Sequence, residues 1–164
     1  DPVNFTYPGG AHFAEVEINP DTGVVKLVNY TAVDDVGQII NPMIVEGQLQ
    51  GGIVQGIGQA LYEHGVYDEE SGQLLSGSFM DYCMPRADQL PMMSIAPYST
   101  LCAHTPMGVK GCGECGTIGS PAAVINAVVD ALSPLGVAHV DMPASPNRIW
   151  NVIRNARESH VAAE

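Results

Sequence analysis

Basic residues are scarce in this chain of 164 residues. Six lysines and arginines stand against 18 aspartates and glutamates, which gives a formal net charge of -12. Nucleic acids and anionic membrane surfaces are bound mainly by clustered Lys and Arg side chains, so this balance disfavours both kinds of partner. The sequence also lacks an apolar run approaching the roughly 20 residues that a membrane helix needs, so we expect no membrane span.

Cysteine is sparse as well, with four residues at positions 83, 102, 112 and 115. Small secreted domains held by disulfides carry more, so a reducing compartment, the cytoplasm, is the better expectation. No signal peptide opens the sequence, which starts at Asp1 rather than Met, and we expect a fragment of a longer polypeptide. Hydrophobic residues make up 46% and charged residues 15%, which is typical of a globular protein.

Two segments have the pattern of β-hairpins. Residues 12–33 alternate apolar and polar side chains around a turn at residues 19–23, where Pro and Gly favour chain reversal. A second hairpin is predicted around residues 66–82, with its turn at 68–72. Residues 84–110, which contain four prolines, are predicted to be extended and irregular.

Three helix starts share one pattern, a capping residue followed by proline at the first helical position. Asn41-Pro42, Ser120-Pro121 and Ser145-Pro146 follow it, because Asn or Ser accepts a bond from a free N–H and Pro has none to leave unpaired. The predicted helices span residues 42–64, 120–132 and 145–158. Together with the hairpins they predict an α+β fold.

The first of these helices is unusually rich in glycine. Each glycine inside a helix costs about 1 kcal/mol relative to Ala, so tertiary contacts must offset several kcal/mol. The residues concerned are Gly47, Gly51, Gly52, Gly56 and Gly58. Two interpretations stay open: a bulky or planar group approaches the backbone, beside Gln48, Gln55 and Gln59, or the helix is packed tightly in a core and its glutamines are solvated.

A second glycine-rich segment, residues 107–120, surrounds one carboxylate, Glu114. Backbone N–H groups in such a loop can converge on a ligand at a helix N-terminus. Three functions compete: a dinucleotide fingerprint at 111–116, half of a metal site or a redox pair at Cys112 and Cys115, and a general base at Glu114. The fingerprint is weak because no buried strand is predicted directly before it. A structural glutamate and an apolar cysteine pair are the non-functional alternatives.

Both glycine-rich segments and a third segment near the end of the sequence resemble the xanthine dehydrogenase and aldehyde oxidase family, and aerobic carbon monoxide dehydrogenase-like large subunits in particular. The first resemblance covers residues 33–42 (VDDVGQIINP) and 45–56 (VEGQLQGGIVQG). The second covers residues 108–114 (GVKGCGE) and 119–123 (GSPAA), and the third covers residues 142–146 (MPASP) with Ile149 and Trp150. The motifs occur in the family's order along nearly the whole chain.

The resemblance implies that residues 1–164 are the C-terminal portion of a molybdopterin-binding domain, with the hairpins and three helices forming one wall of the site. It implies a molybdenum ion on molybdopterin, often the cytosine dinucleotide form, and no protein ligand to the metal. Glu114 would be the catalytic base. The cofactor would be contacted by Gln48, Lys110, Gly111, Cys112 and Gly113. Water would supply the oxygen, and the substrate would be an aldehyde, an N-heterocycle or carbon monoxide.

The partners implied by the resemblance are the upstream half of the large subunit, an FAD-binding medium subunit and a small subunit with 2Fe–2S clusters. The assembly would be a dimer of heterotrimers. The chain departs from the family at Cys112 and Cys115, where small or aliphatic residues are common, and we interpret both as conservative replacements. Two other functions remain as alternatives: a non-catalytic remnant or binding module of the same fold, and a nicotinamide-dinucleotide-binding domain.

Overall fold

The structure, a computed structural model, describes residues 5–161 and the side chains of residues 5–159. Its strands are β1 (Gly9–Ile18), β2 (Val25–Asp35) and β3 (Met93–Tyr98), and its helices are α1 (Pro42–Leu61), α2 (Cys115–Leu132) and α3 (Pro146–Val161). The predicted α+β class with three helices is confirmed. Both ends of the predicted domain 1–164, residues 1–4 and 162–164, lie outside the described residues.

The predicted hairpin at residues 12–33 is confirmed and is slightly longer, because β1 and β2 pair antiparallel from Gly9–Asp35 to Ile18–Val25. Asn19 closes its turn by accepting bonds from the backbone N–H groups of Asp21 (2.9 Å) and Thr22 (3.1 Å). β2 is the central strand, and β3 pairs with it in parallel. That third strand lies within the segment predicted to be irregular.

Helices α1 and α2 pack against each other, and α2 also packs against β1. Along β2 the side chains alternate between buried and more exposed positions, as expected for a strand with one covered face. The core joins that face to both helices and to α3. Its fully buried members are Tyr30, Ala32, Ile53, Ile57, Ala60, Val124, Val128 and Ile149.

Two predicted elements differ from the structure. The hairpin predicted around 66–82 is reduced to a turn and one isolated bridge between Tyr67 and Leu74, so no regular strands form there. The predicted helix 120–132 begins earlier, at Cys115, so Ser120 is not its cap and Pro121 lies inside it. The helix predicted over 42–64 ends at Leu61, and the third spans Pro146–Val161 rather than 145–158.

Within the described residues, one helical segment reaches the length and apolarity of a membrane span. It runs from Cys115 to Leu135 with a mean hydropathy of 1.3. The core helices of soluble proteins meet the same criteria of length and composition. In this structure the segment packs against α1 and β1.

Candidate functional site

The glycine-rich loop is anchored to the end of β2. The Lys110 N–H donates to the carbonyl of Val36 (3.1 Å), and the Gln38 N–H donates to the carbonyl of Gly108 (3.0 Å). Gly108 has a φ of +69°, and a side chain there would come within 2.9 Å of Leu101. Glycine therefore permits both the left-handed backbone and the close packing at this point.

The Lys110 side chain turns towards the sheet. Its ammonium lies 2.8 Å from the Asp35 carboxylate and donates to Thr100 Oγ1 at 2.9 Å. The Thr100 hydroxyl and N–H also bond to Asp35. Hydrogen bonds from Lys110 first, and then from Thr100, hold the pKa of Asp35 well below its usual range. This network ties the loop to the carboxyl ends of β2 and β3.

Glu114 occupies the residue immediately before α2. Its backbone is at the helix N-cap, and its side chain makes no capping hydrogen bond. The side chain is exposed and lines a cavity of about 420 Å³. The carboxylate is therefore placed at a helix N-terminus, where partial positive charge favours an anion, and it faces open space rather than the helix.

Gln48 on α1 lies beside the same loop. Its amide nitrogen is 3.8 Å from the position that a Cβ on Gly113 would take, and its side chain is exposed. Gly111 and Gly113 are also exposed, and a Cβ on either would meet only ordinary van der Waals contacts. These residues form a polar, open surface of backbone and amide groups. Cys112 lies between the two glycines and is half-buried.

Four of the five glycines of α1 divide into two sets. The first set faces α2. A Cβ on Gly52 would lie 3.0 Å from the Thr117 nitrogen, and a Cβ on Gly56 would overlap Ser120 and Pro121. Gly47 and Gly51 are exposed, and a Cβ on either would meet no atom within 4 Å. The interpretation as a tightly packed helix is confirmed for the side that carries Gly52 and Gly56. The approach of a bulky or planar group to the open side stays a prediction. Gln55 and Gln59 are exposed, and Gln59 lines a different cavity from Glu114.

A buried polar cluster of His12, Tyr30 and Asp34 lies at the wall of the cavity that Glu114 lines. His12 Nδ1 is 2.7 Å from the Tyr30 hydroxyl, and His12 Nε2 is 3.3 Å from the Asp34 carboxylate. Burial first, and the nearby Asp34 carboxylate second, raise the pKa of Tyr30. This cluster was not predicted from the sequence, because Tyr30 and Asp34 lie 18 and 22 residues from His12 in the chain.

The cysteine pair does not form part of a metal cluster. The structure, over the residues it describes, contains no group of three or more His, Cys, Asp or Glu side chains placed to hold a metal ion. All four cysteines are free, and the Cys115 thiol donates to the Gly111 carbonyl at 3.6 Å. Burial raises the pKa of Cys115, which favours the uncharged thiol.

The glycines at 111–116 do not have the setting of a dinucleotide fingerprint. In that motif the glycines follow a buried strand directly and open a helix. Here β3 ends at Tyr98, and residues 99–114 form a loop before α2. The helix N-terminus is present, but the strand that should precede the glycines is not.

Comparisons with known proteins give one consistent result. The chain is 48% identical over 143 residues to the nicotine 6-hydroxylase large subunit of Paenarthrobacter nicotinovorans, covering 87% of this chain and 17% of the relative. It is 41% identical over 152 residues to the carbon monoxide dehydrogenase large chain of Afipia carboxidovorans, covering 93% of this chain and 19% of the relative. The chain thus spans less than a fifth of the length of these relatives.

A solved structure of reconstituted CO dehydrogenase from Oligotropha carboxidovorans has the same fold. It superposes with a TM-score of 0.91 at 40% identity and covers 97% of this chain and 20% of that one. The family described as the molybdopterin cofactor-binding domain matches residues 1–91. That match includes β1, β2 and the whole of α1 with Gln48. The resemblance seen in the sequence is confirmed: this chain belongs to the molybdopterin cofactor-binding domain family.

Proposed function

We propose that this chain is the C-terminal portion of the molybdopterin-binding domain of a molybdenum hydroxylase or dehydrogenase, with Glu114 as its catalytic base. One observation carries the proposal. Glu114 makes no cap bond to its own helix and lines a cavity beside Gly111 and Gly113, next to Gln48. A carboxylate free to accept a proton thus lies against an open glycine surface in a chain of this family.

The residues present fit a large, flat cofactor. Gly111 and Gly113 leave their backbone uncovered, and the Gln48 amide offers both a donor and an acceptor at the same place. We assign cofactor contacts to Gln48, Lys110, Gly111, Cys112 and Gly113. Lys110 would contribute its backbone, because its ammonium is paired with Asp35. When bound, the molybdenum–pterin group supplies the two-electron oxidation chemistry, which the protein alone lacks.

In this proposal the Glu114 carboxylate accepts the proton of the water-derived nucleophile. A general base must lie within hydrogen-bonding reach of the proton that it takes, and a place at the cavity wall allows this. The position at the start of a rigid helix fixes where the carboxylate can reach.

The wider assembly is proposed from the resemblance to the family. We propose that the substrate is an aldehyde, an N-heterocycle or carbon monoxide, and that the cofactor is the cytosine dinucleotide form. The upstream half of the large subunit would complete the site. An FAD-binding medium subunit and a small subunit with 2Fe–2S clusters would remove the electrons, in a dimer of heterotrimers. The free state of all four cysteines supports a cytoplasmic location.

The substitution Glu114→Gln in the complete enzyme tests the role of the base. It keeps the size of the side chain and removes its basicity. We expect turnover to fall at least about 10²- to 10⁴-fold, the usual contribution of a general base. The molybdenum content should stay at the level of the unmodified enzyme. Carbon monoxide, an aldehyde and an N-heterocycle should be assayed in parallel with an artificial electron acceptor.

Glu69→Gln is the matched control, because Glu69 is an exposed glutamate in the turn at residues 68–72. It should leave turnover unchanged. If Glu114→Gln retained full turnover with molybdenum bound, Glu114 would not be the base. If the complete enzyme held molybdenum but oxidised none of the three substrates, the chain would be a non-catalytic member of the family.

A further inference from the structure

We propose that His12 is a positioning residue that sets the first turns of α2, and with them Glu114, through an imidazole fixed between Tyr30 and Asp34. This inference rests on the proposed function, because it gives His12 a role only through the base. The buried polar cluster shares a cavity wall with Glu114. No step of the proposed reaction uses the cluster directly.

The imidazole of His12 is held at both nitrogens. Nδ1 lies 2.7 Å from the Tyr30 hydroxyl, and Nε2 lies 3.3 Å from the Asp34 carboxylate. The His12 side chain is 5% exposed and the Asp34 side chain 3%. The ring is also perpendicular to the Tyr30 ring, with centroids 5.8 Å apart. Two hydrogen bonds and one ring contact leave the imidazole no free rotation.

The fixed ring lies directly against the backbone of α2. A Cβ on Gly119 would be 2.8 Å from two atoms of the His12 ring, closer than van der Waals contact allows. Gly119 is in the second turn of the helix, and Glu114 is the residue before its first turn. At 1.5 Å per residue, the two are separated by about 7.5 Å along the helix axis. A shift of the ring therefore moves the helix end that carries the base.

Asp34 requires the imidazole for a separate reason. It is a buried carboxylate, 2% exposed, and its Oδ2 atom has no well-formed hydrogen bond among the described residues. A buried polar group without a hydrogen-bond partner is costly, so loss of the imidazole would force the Asp34 side chain to move. That movement would disturb the wall that faces Glu114. An aromatic ring without nitrogen could fill the space of His12 but not replace these bonds.

A double-substitution experiment in the complete, cofactor-loaded enzyme separates a role through Glu114 from a general structural role. His12→Ala should lower kcat about 10- to 100-fold, the usual loss for a displaced catalytic group. KM and molybdenum content should change less than about two-fold. In an enzyme that already carries Glu114→Gln, His12→Ala should cause no further loss, because groups that act as one unit are not additive. His12→Gln, whose amide can donate to Asp34, should recover part of kcat.

Two further variants keep the test decisive if His12→Ala fails to assemble. Gly119→Ala pushes on the ring from the helix side without removing a buried polar group, and it should lower kcat alone but not in the Glu114→Gln background. His139→Ala is the control, since His139 pairs with Asp141 at 2.9 Å but both side chains are more than three-quarters exposed. It should leave kcat unchanged.

The outcomes distinguish this inference from the proposed function. If Glu114→Gln alone left turnover intact, the proposed function would fail and the role of His12 with it. If Glu114→Gln abolished turnover but His12→Ala and Gly119→Ala left kcat unchanged, only the positioning role would be wrong. Losses that multiply in the double variants would also overturn it, because His12 would then act independently of Glu114.

Discussion

The two sides of α1 are both rich in glycine, yet they meet different surroundings. On one side Gly52 and Gly56 are buried, and a Cβ on either would run into α2. On the other side Gly47 and Gly51 are exposed, and a Cβ there would meet no atom within 4 Å. The first side brings two helices into backbone contact. The second leaves open backbone next to Gln48, where we place the cofactor.

The side of α1 that carries Gly52 and Gly56 determines where α2 begins. A Cβ on Gly116 would overlap the backbone of α1 at Leu49 and Ile53. Thr117 Oγ1 donates to the Gly52 carbonyl at 3.1 Å. These contacts hold the first turn of α2 against α1, and Glu114 is the residue before that turn. The buried glycines of α1 therefore help to position Glu114, the residue that we propose as the base.

The sharpest test of this difference is the same substitution on both sides of α1. Gly56→Ala places a methyl group against the buried Ser120 hydroxyl and within 2.7 Å of Pro121. Overpacking costs about 1–3 kcal/mol, which exceeds the gain of about 1 kcal/mol in helix propensity. We expect amide protection in α1 to fall, measured by hydrogen exchange in the complete subunit.

Gly51→Ala is the matched variant on the open side. Its methyl group gains about 1 kcal/mol of helix propensity and meets no atom of the described residues within 4 Å, so in the cofactor-free subunit protection of the same amides should rise. Opposite signs for the two variants would confirm that the helix has two unlike sides. Equal losses would show that the open side is packed against something as closely as the other.

The start of α1 could be predicted from sequence because its determinants are local. Asn41 Oδ1 accepts a bond from the Ile44 N–H at 3.3 Å, and Pro42 follows at the first helical position, as the pattern predicted. The same pattern at Ser120-Pro121 predicted the wrong start. There α2 already runs from Cys115, and Pro121 packs on Gly56 although it cannot bond to the Thr117 carbonyl. Contacts with a distant helix decide that start.

In the candidate site, too, local features could be predicted from the sequence and long-range contacts could not. Glu114 could be singled out as a candidate because several glycines lie close to it in the sequence. The buried polar cluster depends on the register of β1 and β2, which pairs His12 with Ala32. Tyr30 and Asp34 flank Ala32 on the same face, since side chains alternate along a strand. Register of the predicted hairpin was thus the signal that would have brought the three residues together.

A second, smaller effect is expected from the glutamines of α1. Gln48→Ala removes the amide beside Gly113, so one hydrogen bond to the proposed cofactor is lost, worth about 1 kcal/mol or roughly a five-fold weaker retention. Molybdenum content after extended gel filtration measures it. Gln59→Ala, on the same helix but at a different cavity, should retain the metal fully. Equal retention by both variants would remove Gln48 from the site.

The smallest effect concerns the ion pair of Lys110 and Asp35, which anchors the glycine-rich loop. Lys110→Met removes the main cause of the lowered pKa of Asp35. A depressed carboxyl pKa contributes stability above the unfolded value of about 3.9, and this contribution is lost as pH falls through the lower native value. The thermal midpoint of the variant should therefore lie below that of the unmodified enzyme at pH 7, and the gap should narrow below about pH 4.

Solvent limits the difference in thermal midpoint between Lys110→Met and the unmodified enzyme. The Lys110 and Asp35 side chains are partly exposed, at 11% and 18%, so water weakens the pair and the gap should be modest. His139→Gln, at the far more exposed pair with Asp141, should show no gap at pH 7. A gap for Lys110→Met that stayed constant down to about pH 3, below the unfolded pKa of an Asp, would mean that Lys110 stabilises the loop by packing rather than through Asp35.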